Sequence, residues 1–107
     1  MVVQLTPEAV AERLRSRPND VVLLDVREPD EREAAVILPS LHIPMNDVAD
    51  RKGEIPTDRE IVVYCHTGTR SAMVAGYLDG EGFRRVANLQ GGIDAWSRKI
   101  DPSVPQY

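Results

Sequence analysis

The chain of 107 residues contains one cysteine, Cys65, at a point where a thiol can be chemically activated. Residues 61–64, just before it, read Ile-Val-Val-Tyr, the composition of a buried strand. A short polar turn that contains Gly68 follows and leads through Arg70 into a segment with apolar residues at helical spacing. The sequence therefore predicts a thiol at the carboxyl end of a strand, in a loop that feeds the N-terminus of a helix.

This position favours the thiolate form of cysteine, because the first N–H groups of a helix have no internal acceptor and a tight loop turns further N–H groups inward. A free thiol with a pKa near 8.5 is only about 3% ionised at pH 7. A pKa of about 6.5, which needs about 2.7 kcal/mol of differential stabilisation, would make it mostly thiolate. We expect the loop amides and the charge of Arg70 to provide this stabilisation. The alternative is that Cys65 is merely a small buried apolar side chain, but Gly68 and Arg70 beside it favour the reactive thiol.

Four motifs resemble those of one family. Residues 65–70 read CHTGTR, which is similar to the Cys-x-x-Gly-x-Arg loop of rhodanese sulfurtransferases. The stretches DVRE (25–28), HIP (42–44) and NLQGGIDAW (88–96) resemble further signatures of that family, in the family's order. Since the motifs extend over nearly the whole chain, we expect a single rhodanese domain over residues 1–107, with residues 101–107 as an extended surface tail.

The resemblance implies a sulfurtransferase in which Cys65 is the catalytic nucleophile. Cys65 would take sulfur from a small donor such as thiosulfate and pass it, as a persulfide, to a thiol, cyanide or a sulfur-carrier protein. The residues expected to bind substrate are the rest of the loop, His66, Thr67, Gly68, Thr69 and Arg70. For His66 the sequence leaves open whether the side chain contacts substrate or solvent, and for Asp25 and Arg27 the family implies a structural salt bridge.

Two other functions use a similar loop. A sulfur-relay or thiol-sensing module that acts with protein partners would need the same residues, and the sequence barely separates it from the enzyme. Phosphatases and arsenate reductases also have a cysteine–arginine cradle, but with one residue more between cysteine and arginine than the four of this chain, residues 66–69. The smaller ring favours a sulfur atom over a phosphoryl group.

Composition limits the remaining possibilities. The formal net charge is −4, which argues against nucleic acid or an anionic membrane as a partner. No apolar run approaches the roughly 20 residues of a membrane span, and residues 1–10 lack the pattern of a signal peptide. A single thiol is best kept reactive in a reducing compartment, so we expect a cytoplasmic protein. We expect no metal, because Cys65, His42 and His66 offer no ligand pair at useful spacing, and no cofactor.

The elements that must position the loop alternate between strands and helices, which predicts an α/β fold with a parallel sheet of about five strands and helices on both faces. Thr6 is expected to cap the first helix, and Trp96 to anchor the core in the last one. The acidic residues near Pro29 are expected to be solvated at the start of a short second helix. Residues 46–60 indicate a weak helix and an exposed connection. The thiol then lies beyond the carboxyl ends of the strands, where such folds bind their ligands.

Overall fold

The computed structural model describes residues 2–107 and contains the predicted parallel sheet. Its strands are Val3–Leu5 (β1), Val21–Asp25 (β2), Leu41–His42 (β3), Glu60–Tyr64 (β4) and Val86–Leu89 (β5). All neighbouring strands pair in parallel, in the spatial order β1-β5-β4-β2-β3. The helices are Pro7–Ser16 (α1), Pro29–Ala34 (α2), Val48–Arg51 (α3), Thr69–Gly80 (α4) and Gly92–Lys99 (α5). Within residues 2–107, no helix is both long and apolar enough to span a bilayer.

The central strand β4 is apolar on both faces because helices cover both faces of the sheet. Val62 and Tyr64 belong to the core on the side of α1 and α5, which includes Trp96, as predicted. Val63 and Cys65 belong to the core on the side of α4. The two-residue period of the strand therefore directs the thiol toward the helix that follows it.

Local signals explain where the helices around the site begin. The Thr6 side chain accepts a hydrogen bond from the Ala9 N–H at 3.1 Å, which confirms it as the cap of α1. Gly68 precedes α4 with a φ of +109°, a conformation that favours glycine.

The peptide bond between Leu38 and Pro39 is cis, in the bend before β3.

Residues 45–54 form a broken helical segment, with short 3-10 turns at Met45–Asp47 and Lys52–Glu54 on either side of α3. The prediction of a weak helix in this region is confirmed. The segment is nevertheless held to the core, because Val48 and Ile55 are buried beside the α4 face of the sheet.

The tail differs from the sequence-based prediction. Residues 101–107 were expected to lie extended on the surface, but Val104 is buried in the core on the α5 side. The Ser97 hydroxyl donates a hydrogen bond to the Val104 carbonyl oxygen, which ties the tail to α5. From there the chain runs to Tyr107, which lies against the loop after β4. The buried Val104 side chain and the hydroxyl of Ser97 in α5 thus direct the tail toward that loop.

Candidate active site

The sulfur of Cys65 lies at the base of the loop between β4 and α4, with N–H groups directed at it. The Gly68 N–H donates to Sγ at 3.1 Å and the Ser71 N–H at 3.4 Å. The Ser71 hydroxyl oxygen is 3.3 Å from the same sulfur. Burial raises the pKa of Cys65, but hydrogen bonds from the Ser71 hydroxyl and from the N–H groups of Ser71, Gly68 and Thr67 outweigh it, so that the pKa lies below its usual value. Cys65 is only 1% exposed.

Helix α5 holds the other side of the same loop. The Ile93 N–H donates to the Cys65 carbonyl oxygen at 2.9 Å, and the Asp94 N–H donates to the His66 carbonyl oxygen at 3.1 Å. The approach is close because Gly92 carries no side chain: a Cβ there would lie 2.4 Å from the His66 oxygen. The first N–H groups of α5, which need acceptors, thereby find them in the loop.

Arg70 forms a two-pronged ion pair with Glu31. Its Nη1 and Nη2 donate to the two carboxylate oxygens at 2.7 and 2.8 Å. This pair lowers the pKa of Glu31 to about 2. The prediction that the acidic residues at the start of α2 are solvated is therefore wrong for Glu31, which joins α2 to the loop. The hydrogen bonds to the sulfur are the main causes that lower the pKa of Cys65. Arg70 and the thiolate also attract each other, and this attraction adds to that of Glu31 in raising the pKa of Arg70.

Tyr107 closes one side of the loop. Its ring stacks on the His66 ring, with centroids 4.0 Å apart and planes inclined by 12°. Its hydroxyl donates to Glu31 at 2.8 Å and accepts from Arg27 at 3.0 Å. Burial, together with the Glu31 charge, raises the pKa of Tyr107 to about 12, so the hydroxyl stays protonated. His66 thus contacts the tail, an arrangement that neither of the two sequence-based alternatives included.

Asp25 and Arg27 form the buried ion pair that the family resemblance implied. Arg27 donates from Nε and Nη2 to the two oxygens of Asp25 at 2.9 Å each, and both side chains are fully buried. Arg27 also donates to the Ala35 carbonyl oxygen at 2.7 Å. Burial opposes the charge of Asp25, but the hydrogen bonds from Arg27 lower its pKa overall. The pair therefore fastens the end of β2 to the end of α2, next to the loop.

An open cavity of about 500 Å³ borders the loop on the side of β5. Its lining is neutral, with Thr67, Thr69, Gln4 and Gln90 among the contributing residues. Thr67 and Thr69 are exposed, and their contact with substrate stays a prediction. Residues 2–107 hold no group of three or more histidine, cysteine, aspartate or glutamate side chains arranged to bind a metal ion.

Sequence reasoning missed four residues that shape this site. Ser71 directly follows the predicted loop, and its position in the first turn of α4 could have indicated a second donor to the sulfur. Asn88 begins the motif of residues 88–96, whose sequence does not indicate that it binds the hydroxyl beside the thiol. Glu31 and Tyr107 reach the loop across long separations in the chain, for which one sequence offers no signal.

Comparison with known proteins identifies the class. The family model for the rhodanese-like domain matches residues 6–99, and the chain belongs to this family. A sulfurtransferase from Allochromatium vinosum is 42% identical over 104 residues, which are 97% of this chain and 96% of the relative. The thiosulfate sulfurtransferase GlpE from Pseudomonas syringae is 37% identical over 90 residues, which are 84% of this chain and 83% of the relative. Among solved structures, a rhodanese-related protein from Thermoplasma volcanium superposes with a TM-score of 0.85 at 26% identity, covering 98% of this chain and 99% of that one. These relatives support a role in sulfur transfer or sulfur relay.

Proposed function

We propose that this protein is a sulfurtransferase that carries sulfane sulfur on Cys65, and that residues 1–107 form one rhodanese domain. The observation that carries the proposal is the convergence of the Gly68 N–H, the Ser71 N–H and the Ser71 hydroxyl on one buried sulfur. Such an arrangement stabilises a sulfur anion without a side-chain base. Thiosulfate or another persulfide donor is the proposed source, and GlpE, the relative named for thiosulfate, supports that choice.

In the proposed first step the Cys65 thiolate attacks the outer sulfur of thiosulfate. A bond forms between Sγ and that sulfur, the sulfur–sulfur bond of the donor breaks, and sulfite leaves with the electron pair. In the second step a thiophilic acceptor, such as a thiol, cyanide or a sulfur-carrier protein, attacks the outer sulfur of the persulfide. The Cys65 thiolate leaves and is regenerated, stabilised by the same hydrogen bonds.

The other loop residues have supporting roles in this proposal. Gly68 permits the turn that directs its N–H at the sulfur, and Thr67 and Thr69 border the cavity through which a donor would enter. Arg70 fixes the loop through Glu31. His66, whose ring stacks on Tyr107, stays a predicted contact for substrate. A cytoplasmic location stays a prediction from the single thiol.

Intact-protein mass spectrometry after exposure to thiosulfate tests the proposal. The native protein should gain the mass of one sulfur atom and lose it when cyanide is added, with thiocyanate formed. Cys65→Ser should gain nothing and should abolish turnover, while circular dichroism shows an unchanged fold. Substantial turnover by Cys65→Ser would refute the assignment. A bound sulfur without multiple turnover would favour the relay module over the enzyme.

A further inference from the structure

The hydroxyl of Ser71 has two neighbours that both need its single proton. Its oxygen lies 3.3 Å from the Cys65 sulfur and 2.5 Å from Oδ1 of Asn88. A serine hydroxyl donates one hydrogen bond at a time. When the hydroxyl donates to Asn88, a hydrogen bond between Ser71 and the sulfur requires the sulfur to donate. Only a protonated thiol can do so. When the sulfur is an anion, it needs the same proton that Asn88 accepts.

The Asn88 amide is held so that its oxygen, not its nitrogen, faces Ser71. Nδ2 donates to the Gln4 side-chain oxygen at 2.9 Å and to the Gly68 carbonyl oxygen at 3.3 Å. The Gln4 amide could turn over, but the Gly68 carbonyl belongs to the backbone and can only accept. A turned Asn88 amide would bring two acceptor oxygens together at Gly68. Asn88 is only 3% exposed, although it borders the open cavity together with Gln4 and Gly68.

We propose that Asn88 is a positioning residue that acts through Ser71: it holds the Ser71 hydrogen bond while Cys65 is protonated and yields it when the sulfur becomes an anion. In the thiol state the sulfur donates to the Ser71 hydroxyl, which donates to the Asn88 oxygen. In the thiolate state the Ser71 hydroxyl donates to the sulfur instead. Asn88 therefore competes with the sulfur for the hydroxyl proton. This competition keeps the thiolate less stabilised, and so more nucleophilic, than the N–H groups and a free hydroxyl would leave it. The inference rests on the proposed role of Cys65 as the reacting thiolate.

The titratable groups around the thiol do not take part in the competition for the Ser71 proton. They come from the loop, from α2, from the end of β2 and from the tail, and they are His66, Arg70, Glu31, Asp25 with Arg27, and Tyr107. Helix α5 contacts the loop through its backbone, and β5 contributes only the neutral Asn88. In the described part of the chain, none of these side chains hydrogen-bonds to Ser71 or Asn88. Both residues stay neutral across the pH range in which the thiol titrates.

The rate of alkylation of Cys65 by iodoacetamide as a function of pH tests the inference without any sulfur transfer. In Asn88→Leu, which has a similar shape and no acceptor, the inflection should move to lower pH by about 0.5 to 1 pH unit, the equivalent of one ordinary neutral hydrogen bond. In a Ser71→Ala background, Asn88→Leu should move it by less than about 0.2 pH unit, because the competing proton is absent. If Asn88 only supports the loop, the same substitution moves the inflection to higher pH, and that result would overturn the proposal.

A second variant keeps the test decisive if Asn88→Leu does not fold. Asn88→Asp provides a stronger acceptor and a charge, so the inflection should rise. The rise should be larger with Ser71 present than in Ser71→Ala, because only Ser71 has a hydroxyl proton for which the sulfur and residue 88 compete. Equal rises in the two backgrounds would refute competition through Ser71. Because alkylation requires only the thiolate, a failure here is distinct from a failure of the mass-spectrometric test for bound sulfur.

Discussion

Glu31→Gln removes the charge that binds Arg70 and should destabilise the protein in a pH-dependent way. The ordinary pKa of this glutamate is 4.5 and the ion pair lowers it to about 2 in the folded state. A difference of this size corresponds to roughly 3 kcal/mol at neutral pH. The Arg70 side chain is 34% exposed and that of Glu31 17%, so solvent screens part of the interaction. We therefore expect a loss of about 1–2 kcal/mol at pH 7.

The sign of the pH dependence follows from the direction of the pKa. A carboxyl whose pKa is lowered by folding contributes stability above its unfolded pKa, and this contribution is lost as the pH falls through the folded pKa. The difference in stability between native protein and Glu31→Gln should thus be complete at pH 7 and shrink from about pH 4.5 toward pH 2.

Thermal unfolding across this pH range measures the effect. At pH 7 the midpoint of Glu31→Gln should lie about 5–10 °C below that of the native protein. Glu33→Gln is the matched control, because Glu33 lies in the same helix and is exposed. It should change stability by less than about 0.5 kcal/mol. If Glu31→Gln equals the control at pH 7, or if its deficit is the same at every pH, the ion pair does not stabilise the fold as argued.

The remaining predictions concern the shape and size of the loop. Gly92→Ala should destabilise the protein by about 2–4 kcal/mol, because a Cβ would lie 2.4 Å from the His66 carbonyl oxygen at a φ of +62°. Gly76→Ala, in a helix and with nothing within 4 Å of the new Cβ, should instead stabilise it by about 0.5–1 kcal/mol; urea unfolding of both variants checks the contrast. The native protein should turn over thiosulfate and hydrolyse an aryl phosphate negligibly, and faster phosphate hydrolysis would overturn the sulfurtransferase proposal. One glycine inserted between Thr69 and Arg70 should weaken sulfur transfer, because it widens a ring whose N–H groups now reach the sulfur; undiminished activity would show that ring size is unimportant.

The sequence predicted the sheet and most helices because their signals are local. The apolar run before Cys65, the cap at Thr6 and the glycines around α4 each act within a few residues. Trp96 was placed correctly in the core for the same reason, since burial follows from the apolar face of its helix. The Cys65 loop could be located because strand, turn and helix are contiguous there.

What the sequence could not provide is the partner of each polar group. The charge of Arg70 was expected to stabilise the thiolate, yet its geometry is decided by Glu31, 39 residues away. The tail was expected to lie extended because of its prolines, but Val104 and Tyr107 have tertiary contacts that outweigh this local preference. Tertiary hydrogen bonds depend on the relative placement of elements, which hydrophobic periodicity does not specify.

The contact between α5 and the loop has an electrostatic consequence at the sulfur. A peptide unit is planar, with its carbonyl and the next residue's N–H pointing in opposite directions, so fixing one end fixes the other. The backbone N–H of Asp94 donates to the His66 carbonyl oxygen and so also fixes the direction of the Thr67 N–H in the same peptide unit. This Thr67 N–H is one of the groups that lower the pKa of Cys65. The orientation of a dipole over the sulfur is thus set by a helix on the far side of the loop. Ile93 and Asp94 can therefore alter the reactivity of the thiol by rotating peptide planes, through backbone hydrogen bonds to the Cys65 and His66 carbonyl oxygens.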